Sequence, residues 1–222
     1  MTTNLSFGGN FWTGNTSKST VTGSIRMAIV DSLKEFSFDA TYLYGESNHV
    51  VDQRKYLVGL QYDRFPLAIV SPFVRTELYS NENESITYRY SGFAGVKYRF
   101  FIHKKDGMTL SDYSISGACV YSYEKYSEGT SIPHQKKIRL SMRPRFKQQL
   151  AKNIFAHTTL FYKPNVEHWN DYIIQSISYV NFSVNRTISI KCTYEYEYKN
   201  RPVAITTKKT DTHFLVSLGI EI

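Results

Sequence analysis

Thr187-Ile188-Ser189-Ile190-Lys191-Cys192-Thr193-Tyr194-Glu195-Tyr196-Glu197-Tyr198-Lys199 decides how the rest of the chain is read. Its even-numbered residues are all apolar or aromatic, and its odd-numbered residues are all polar or charged. A period of two is that of an extended strand whose side chains alternate between two faces, and a helix would repeat at 3.6. The C-terminal stretch repeats it, with Phe214, Val216, Leu218, Ile220 and Ile222 on one face and His213, Leu215, Ser217, Gly219 and Glu221 on the other.

Working outward with turn signals as punctuation, twelve such segments are predicted, at roughly 4–13, 18–30, 34–45, 51–64, 67–80, 86–102, 107–126, 135–149, 152–163, 170–183, 187–199 and 208–222. No helical pattern interrupts them. The segment 170–183 alternates poorly, so the pattern leaves its register open. Pro72 and Pro144 fall inside segments and each forfeits a ladder hydrogen bond, which predicts bulges or strand breaks there. No linker or composition break divides 1–222, so one domain is expected.

Connections after even-numbered segments are short, as in Phe65-Pro66, Leu150-Ala151 and Val184-Asn185-Arg186. Those after odd-numbered segments are mostly longer and polar, as in Asn81 to Ser85, Ser127 to His134 and Asn200 to Thr207. Short turns on one rim and long loops on the other are the pattern of an up-and-down transmembrane β-barrel with both termini periplasmic. The expected fold class is therefore all-β, a single twelve-stranded antiparallel transmembrane barrel.

Periodicity alone does not say which face points outward. Twelve strands at about 4.8 Å spacing and about 40° tilt enclose a cylinder roughly 24 Å across, which one layer of apolar side chains would not fill. Apolar residues turned to lipid and charged ones turned to an aqueous interior satisfy both faces, and closure pairs every backbone group. Tyr42, Tyr44, Tyr88, Tyr98, Tyr121, Tyr194, Tyr196 and Phe214 are the expected lipid-facing aromatics; the tyrosines lie near strand ends, where interfacial girdles belong. Trp12 and Trp169 sit near the long-loop rim and read as interface anchors.

Composition excludes several classes. With 18 Tyr and 14 Phe the chain is too rich in aromatics to be disordered, and its longest apolar runs are far below the roughly 20 residues of a spanning helix. Two cysteines, Cys119 and Cys192, make no disulfide scaffold and lie on well-separated segments. Mean hydropathy of −0.36 is no objection to a membrane barrel, because only alternate residues meet lipid. The net charge of +8 is not that of a nucleic-acid binder, since Lys and Arg lie on the face opposite the aromatics instead of interleaving with them.

Gly14-Asn15-Thr16, Leu60-Gln61-Tyr62-Asp63, Arg75-Thr76-Glu77, Gly95-Val96-Lys97-Tyr98 and Lys208-Lys209-Thr210-Asp211-Thr212 occur in an order that resembles the YdiY-like, salt-induced outer-membrane protein family, a family of unknown function. The likeness covers nearly the whole chain. It implies the outer membrane of a Gram-negative bacterium and a signal peptide in the precursor, so Met1-Thr2-Thr3-Asn4, which carries no such signal, reads as a mature start with an added Met. It supplies no catalytic residues. The chain ends in Ile222 where such proteins end in Phe, which leaves recognition by the barrel-assembly machinery to Phe214 and the alternating aliphatics.

With the apolar face outward, Arg89, Lys97, Arg99, Lys137, Arg139, Arg143, Arg145 and Lys147 form a basic lumen wall, of which inward Asp112 and Glu124 neutralise only part. The other inward acids, Asp39, Asp63, Glu77, Glu195 and Glu197, are expected elsewhere around the ring, giving a transverse field. Two functions fit this pattern: a narrow, weakly anion-preferring pore, or a closed structural barrel in which the same side chains salt-bridge into a polar plug. Long-loop cations Lys18, Lys125, Lys136, Arg201, Lys208 and Lys209 are candidates for lipopolysaccharide phosphates.

A soluble or membrane-associated lipid-binding β-barrel is the alternative with the faces reversed. An outer-membrane barrel hydrolase is the alternative from another class, and its best dyad would be His213 with Ser189 on the neighbouring segment. Ser is common on lumenal faces and no oxyanion donors are identifiable, so no enzyme is expected. The residues call for no metal and no cofactor. The barrel is expected to be monomeric, with any protein partner unidentified.

Overall fold

The computed structural model describes residues 2–12, 18–47, 50–105, 108–127, 134–185, 187–202 and 209–221. Gly14-Asn15-Thr16, His49, Lys208 and Ile222 lie outside the described residues. Twelve strands form a closed barrel: β1 (Thr2–Trp12), β2 (Lys18–Val30), β3 (Lys34–Ser47), β4 (Val50–Arg64), β5 (Val70–Asn81), β6 (Ile86–Lys105), β7 (Met108–Tyr126), β8 (His134–Ala151), β9 (Ile154–Pro164), β10 (Tyr172–Ser183), β11 (Ile188–Lys199) and β12 (Thr210–Glu221). Each pairs with its sequence neighbours, and β1 pairs with β12 to close the ring, every ladder antiparallel. Among the described residues the departure from strand and turn is a single 3-10 turn, Glu82–Glu84, in the β5–β6 connection.

The sense of the two faces follows from exposure. Phe7, Tyr42, Leu140 and Phe214 stand on the outside, Phe214 with 60% of its surface free, while Asp63 is 2% and Glu124 3% exposed. No soluble protein gains by that inversion, whereas a lipid-facing wall requires it. Of the eight lipid-facing aromatics read from the sequence, Tyr42, Tyr98, Tyr121, Tyr194 and Phe214 are exposed; Tyr44, Tyr88 and Tyr196 share the outer face but are half covered by neighbours. Tyr172 packs against both Tyr162 and Tyr198 near the long-loop rim, and Tyr113 against Phe100, Phe101 and Phe146 toward the other, so aromatic bands lie at both ends of the wall.

The register of β10 is settled by its partners. Ser176 and Ser178 turn outward with Ile174 and Val180, and Thr158 shares a 3.1 Å hydroxyl hydrogen bond with Ser178 on the same face. Two hydroxyls satisfying each other explain why polar residues are tolerated there and why alternation is weak.

The expected bulges at Pro72 and Pro144 are not found. Register shifts lie instead at Gly45/Glu46, Tyr79/Asn81, Ile86/Tyr88, Arg99/Phe101, His103/Lys104 and Gln149/Ala151. Pro72 falls one residue beyond the end of the β4–β5 ladder at Asp63↔Phe73, and Pro144 lies in the gap between Met142↔Tyr162 and Arg145↔Thr159. The β8–β9 ladder is thus interrupted at Pro144, as a missing donor requires, while β5 and β8 continue through both prolines without a register shift. Cys119 and Cys192 are both free thiols, as their separation around the wall requires.

Candidate functional site

The interior is built by residues that alternate with the lipid-facing ones, and the structure turns all eight basic and all seven acidic residues read from the sequence inward. Their pairing differs from the expectation. Glu124 takes both Arg89 at 2.7 Å and Lys137 at 3.1 Å, and Asp112 takes Arg99 at 3.2 Å and Arg145 at 3.7 Å. Lys97 meets Asp63 at 3.4 Å, and Arg139 meets Asp171 of the β9–β10 loop at 2.7 Å. Six of the eight cations are thus paired, but with these four carboxylates between them, so the wall is neutralised only in part, by acids within reach on neighbouring strands and on the β9–β10 loop. Arg143 and Lys147 are its members without an ion pair among the described residues.

Several lumen residues were not singled out in the sequence. Arg75, on the strand next to the basic wall, is the hub of an acidic group, its Nε donating to Glu77 at 2.7 Å and its terminal nitrogens to Asp39 at 2.7 and 2.9 Å. Lys163 and Lys191 face inward with no carboxylate partner among the described residues, as does Arg26. Face parity alone finds Lys163, since Phe155, His157, Thr159, Phe161 and Lys163 alternate along β9. Glu84 carried no such signal, because it lies in a loop.

That loop folds into the barrel mouth. Leu57, Tyr79, Ile86 and Tyr126 form an apolar cluster inside the lumen, with Ile86 2% exposed, and the Glu82–Glu84 turn sits upon it. Glu84 accepts hydrogen bonds from the Tyr79 hydroxyl at 2.5 Å and Asn81 Nδ2 at 2.6 Å, and its other oxygen meets Lys199 of β11 and lies 4.0 Å from Arg89. Burial alone would raise the Glu84 carboxyl, but Lys199 and Arg89 hold it down at about 2. Asp171, at the same rim, is likewise lowered: burial opposes, but hydrogen bonds from Arg139 and Asn165 prevail.

Glu84 lines two cavities, of about 40 and 30 Å³. A third of about 30 Å³ lies deeper, beside Arg75, Arg143 and Lys163. Each has room for a few waters and no more. His213 and Ser189 do not form a dyad: His213 pairs with Glu195 and Ser189 with Gly219, six residues apart along β12, which is about 20 Å. His157 is held by Tyr179 at 2.8 Å and Thr159 at 2.9 Å. Among the described residues no cluster of His, Cys, Asp and Glu has metal-site geometry.

A model of the family described as "Protein of unknown function, DUF481" matches residues 5–222. The chain belongs to that family. It is compatible with the salt-induced outer-membrane resemblance and assigns no activity. Among solved structures the chain is similar to the KdgM porin, at 13% identity and a TM-score of 0.53 over 98% of each chain, and to the NanC porin, at 9% identity and 0.54, again over 98% of each. LpxR from Salmonella typhimurium is similar at 5% identity and 0.51, over 100% of this chain and 99% of that one. At such identities the likeness establishes fold: this family member is a closed barrel of the outer-membrane type. No curated protein sequence matches it.

Proposed function

We propose that the protein spans the outer membrane of a Gram-negative cell, with both termini periplasmic, as a narrow, weakly anion-preferring pore. The observation that carries this is the set of lumen cations left over after pairing. Arg26, Lys55, Arg143, Lys147, Lys163 and Lys191 line the interior without an ion pair among the described residues, against Glu35, Glu195 and Asp211 on the acidic side. In a narrow passage of low dielectric wall, such an excess raises the local concentration of small anions. Lys125, Lys136, Arg201 and Lys209 of the long-loop rim would meet lipopolysaccharide phosphates, and the barrel-assembly machinery would read the C-terminal strand through Phe214 and its aliphatic neighbours. No chemistry is assigned to the protein.

Recording from folded protein in a planar bilayer under a potassium chloride gradient tests the pore. The expected result is small, discrete steps with a reversal potential displaced toward chloride. A second reading, a closed structural barrel, is favoured by the contact of Glu84 with Lys199 across the mouth and by the small cavities on either side. Absence of steps from protein that shows the heat-dependent gel shift of a folded barrel would select it.

A further inference from the structure

One level of the lumen holds two cations that make no ion pair among the described residues. Arg143 of β8 projects between Phe73 of β5 and Phe161 of β9, its guanidinium carbon 5.5 Å from the first ring centroid and 6.0 Å from the second. Its Nε donates to Ser116 Oγ of β7 at 3.0 Å, which fixes the plane of the group. Its two terminal nitrogens make no hydrogen bond among the described residues. Lys163 places its ammonium 4.7 Å from the centroid of the same Phe161 ring, and it too has no carboxylate or hydrogen-bond partner among the described residues. Both cations line the deep cavity of about 30 Å³, together with Phe73, Phe161, Arg75 and Glu77.

Arg75 is engaged by its own two acids, Nε by Glu77 and both terminal nitrogens by Asp39. Among the cavity-lining residues and their ion-pair partners, three cations (Arg75, Arg143 and Lys163) face two carboxylates (Glu77 and Asp39), an excess of one positive charge. Cation–π attraction to Phe73 and Phe161 offsets only part of the cost of holding Arg143 and Lys163 away from bulk water. A purely structural role would have been met by a carboxylate nearby, as Glu124 and Asp112 do for their neighbours.

We infer that Arg143 and Lys163 form a binding subsite for a small monocarboxylate anion inside the barrel. The planar outer edge of a guanidinium offers two parallel donors that match the two oxygens of a carboxylate, and Lys163 adds a point charge from the neighbouring strand. One excess charge is balanced by a monoanion and over-balanced by a dianion such as hydrogen phosphate. The cavity accommodates a carboxylate head, and the remainder of a larger solute would lie along the lumen. The assignment rests on the pore reading for the route by which the anion arrives.

Acetate labelled with carbon-13 at the carboxyl is the probe, titrated against the folded full-length protein in a non-ionic detergent and followed by its line width. Saturable broadening is expected, with affinity about tenfold weaker in Lys163→Met and in Arg143→Lys, the latter retaining charge but losing the two-donor edge. Lys163→Gln serves in parallel, and each variant is checked for the heat-dependent gel shift. Broadening that does not saturate, that is unchanged in folded variants, or that phosphate abolishes at lower concentration than acetate itself would overturn the subsite. Saturable binding without conductance disposes of the pore and leaves the subsite; conductance without binding does the reverse.

Discussion

The carboxylate of Glu84, in the loop after β5, is bonded to the ammonium of Lys199 on β11, the strand six places around the ring and so on the diametrically opposite wall. Tyr79 and Asn81 hold the near side of Glu84, Glu197 shares Lys199 at 2.6 Å, and the side chains of Glu84 and Lys199 are only 10% and 13% exposed. Removing one partner leaves the other charge in a confined, poorly hydrated place. Glu84→Ala is expected to destabilise the folded β5–β6 connection by about 3 kcal/mol. Hydrogen exchange at the Ser85 amide, which donates to Glu82 at 2.9 Å, reads this directly; exchange as slow as in the parent protein would show that the strap does not depend on the pair.

The same contact sets a pH dependence. Glu84 titrates at about 2 in the folded protein against an ordinary 4.5, so its contribution is complete above about pH 4.5 and is lost as pH falls from there through 2. Exchange of residues 82–86, corrected for intrinsic rate, should accelerate within that window. Release of the loop already at pH 6 would contradict the lowered carboxyl.

Closure of the ring depends on close backbone approach at Gly8. A Cβ placed there would lie 2.5 Å from the Val216 carbonyl oxygen and 2.7 Å from Ser217 Cβ, on a β1–β12 seam with five residue pairs among the described residues. Gly8→Ala should cost about 1–3 kcal/mol, whereas Gly23→Ala, with nothing within 4 Å of its added methyl, should be close to neutral. Urea or thermal unfolding of the refolded proteins, scored by the loss of the fast-migrating gel band, separates the two.

Gly59 faces the lumen beneath the hub arginine, where an added Cβ would stand 2.2 Å from Arg75 Nη2 and 2.9 Å from Asp39 Oδ2. Gly59→Ala is therefore expected to break the two-point contact between them and free both charges, with a loss of about 2 kcal/mol. An Asp39→Asn background supplies the check: most of the penalty of Gly59→Ala should disappear there, and an undiminished penalty would place the strain elsewhere.

Cys119 is exposed on the outer face of β7. A nitroxide attached to it in a Cys192→Ala protein in bilayers should relax strongly with dissolved oxygen and weakly with a water-soluble nickel chelate. The opposite order would reverse the inside and outside of the barrel.

The outward sense of the strands was legible because lipid and water impose opposite demands on alternate residues, and β11 states this without ambiguity in Tyr194, Tyr196 and Tyr198 against Glu195, Glu197 and Lys199. β10 hid its register because Ser176 and Ser178 pair their hydroxyls with a neighbouring strand, a relation that no single segment contains. The lumen was legible as a set of charges, but not in its pairing. Glu124 is shared by Arg89 and Lys137 from a strand between theirs, and Asp171 reaches Arg139 from a loop, so which charges remain over is a property of levels around a ring and not of any one strand.

Alternation with period two, short and long connections in turn, and an even strand count determined from the sequence alone that this chain closes into a barrel, since those features are local and repeat along the backbone. Tertiary structure alone decided that Glu84 meets Lys199 across the mouth, that Ser189 and His213 stand at different heights, and that Arg143 and Lys163 flank one phenyl ring with no ion pair of their own among the described residues. Such relations depend on strand stagger and on a loop folding inward, and these are fixed by the closing of the ring.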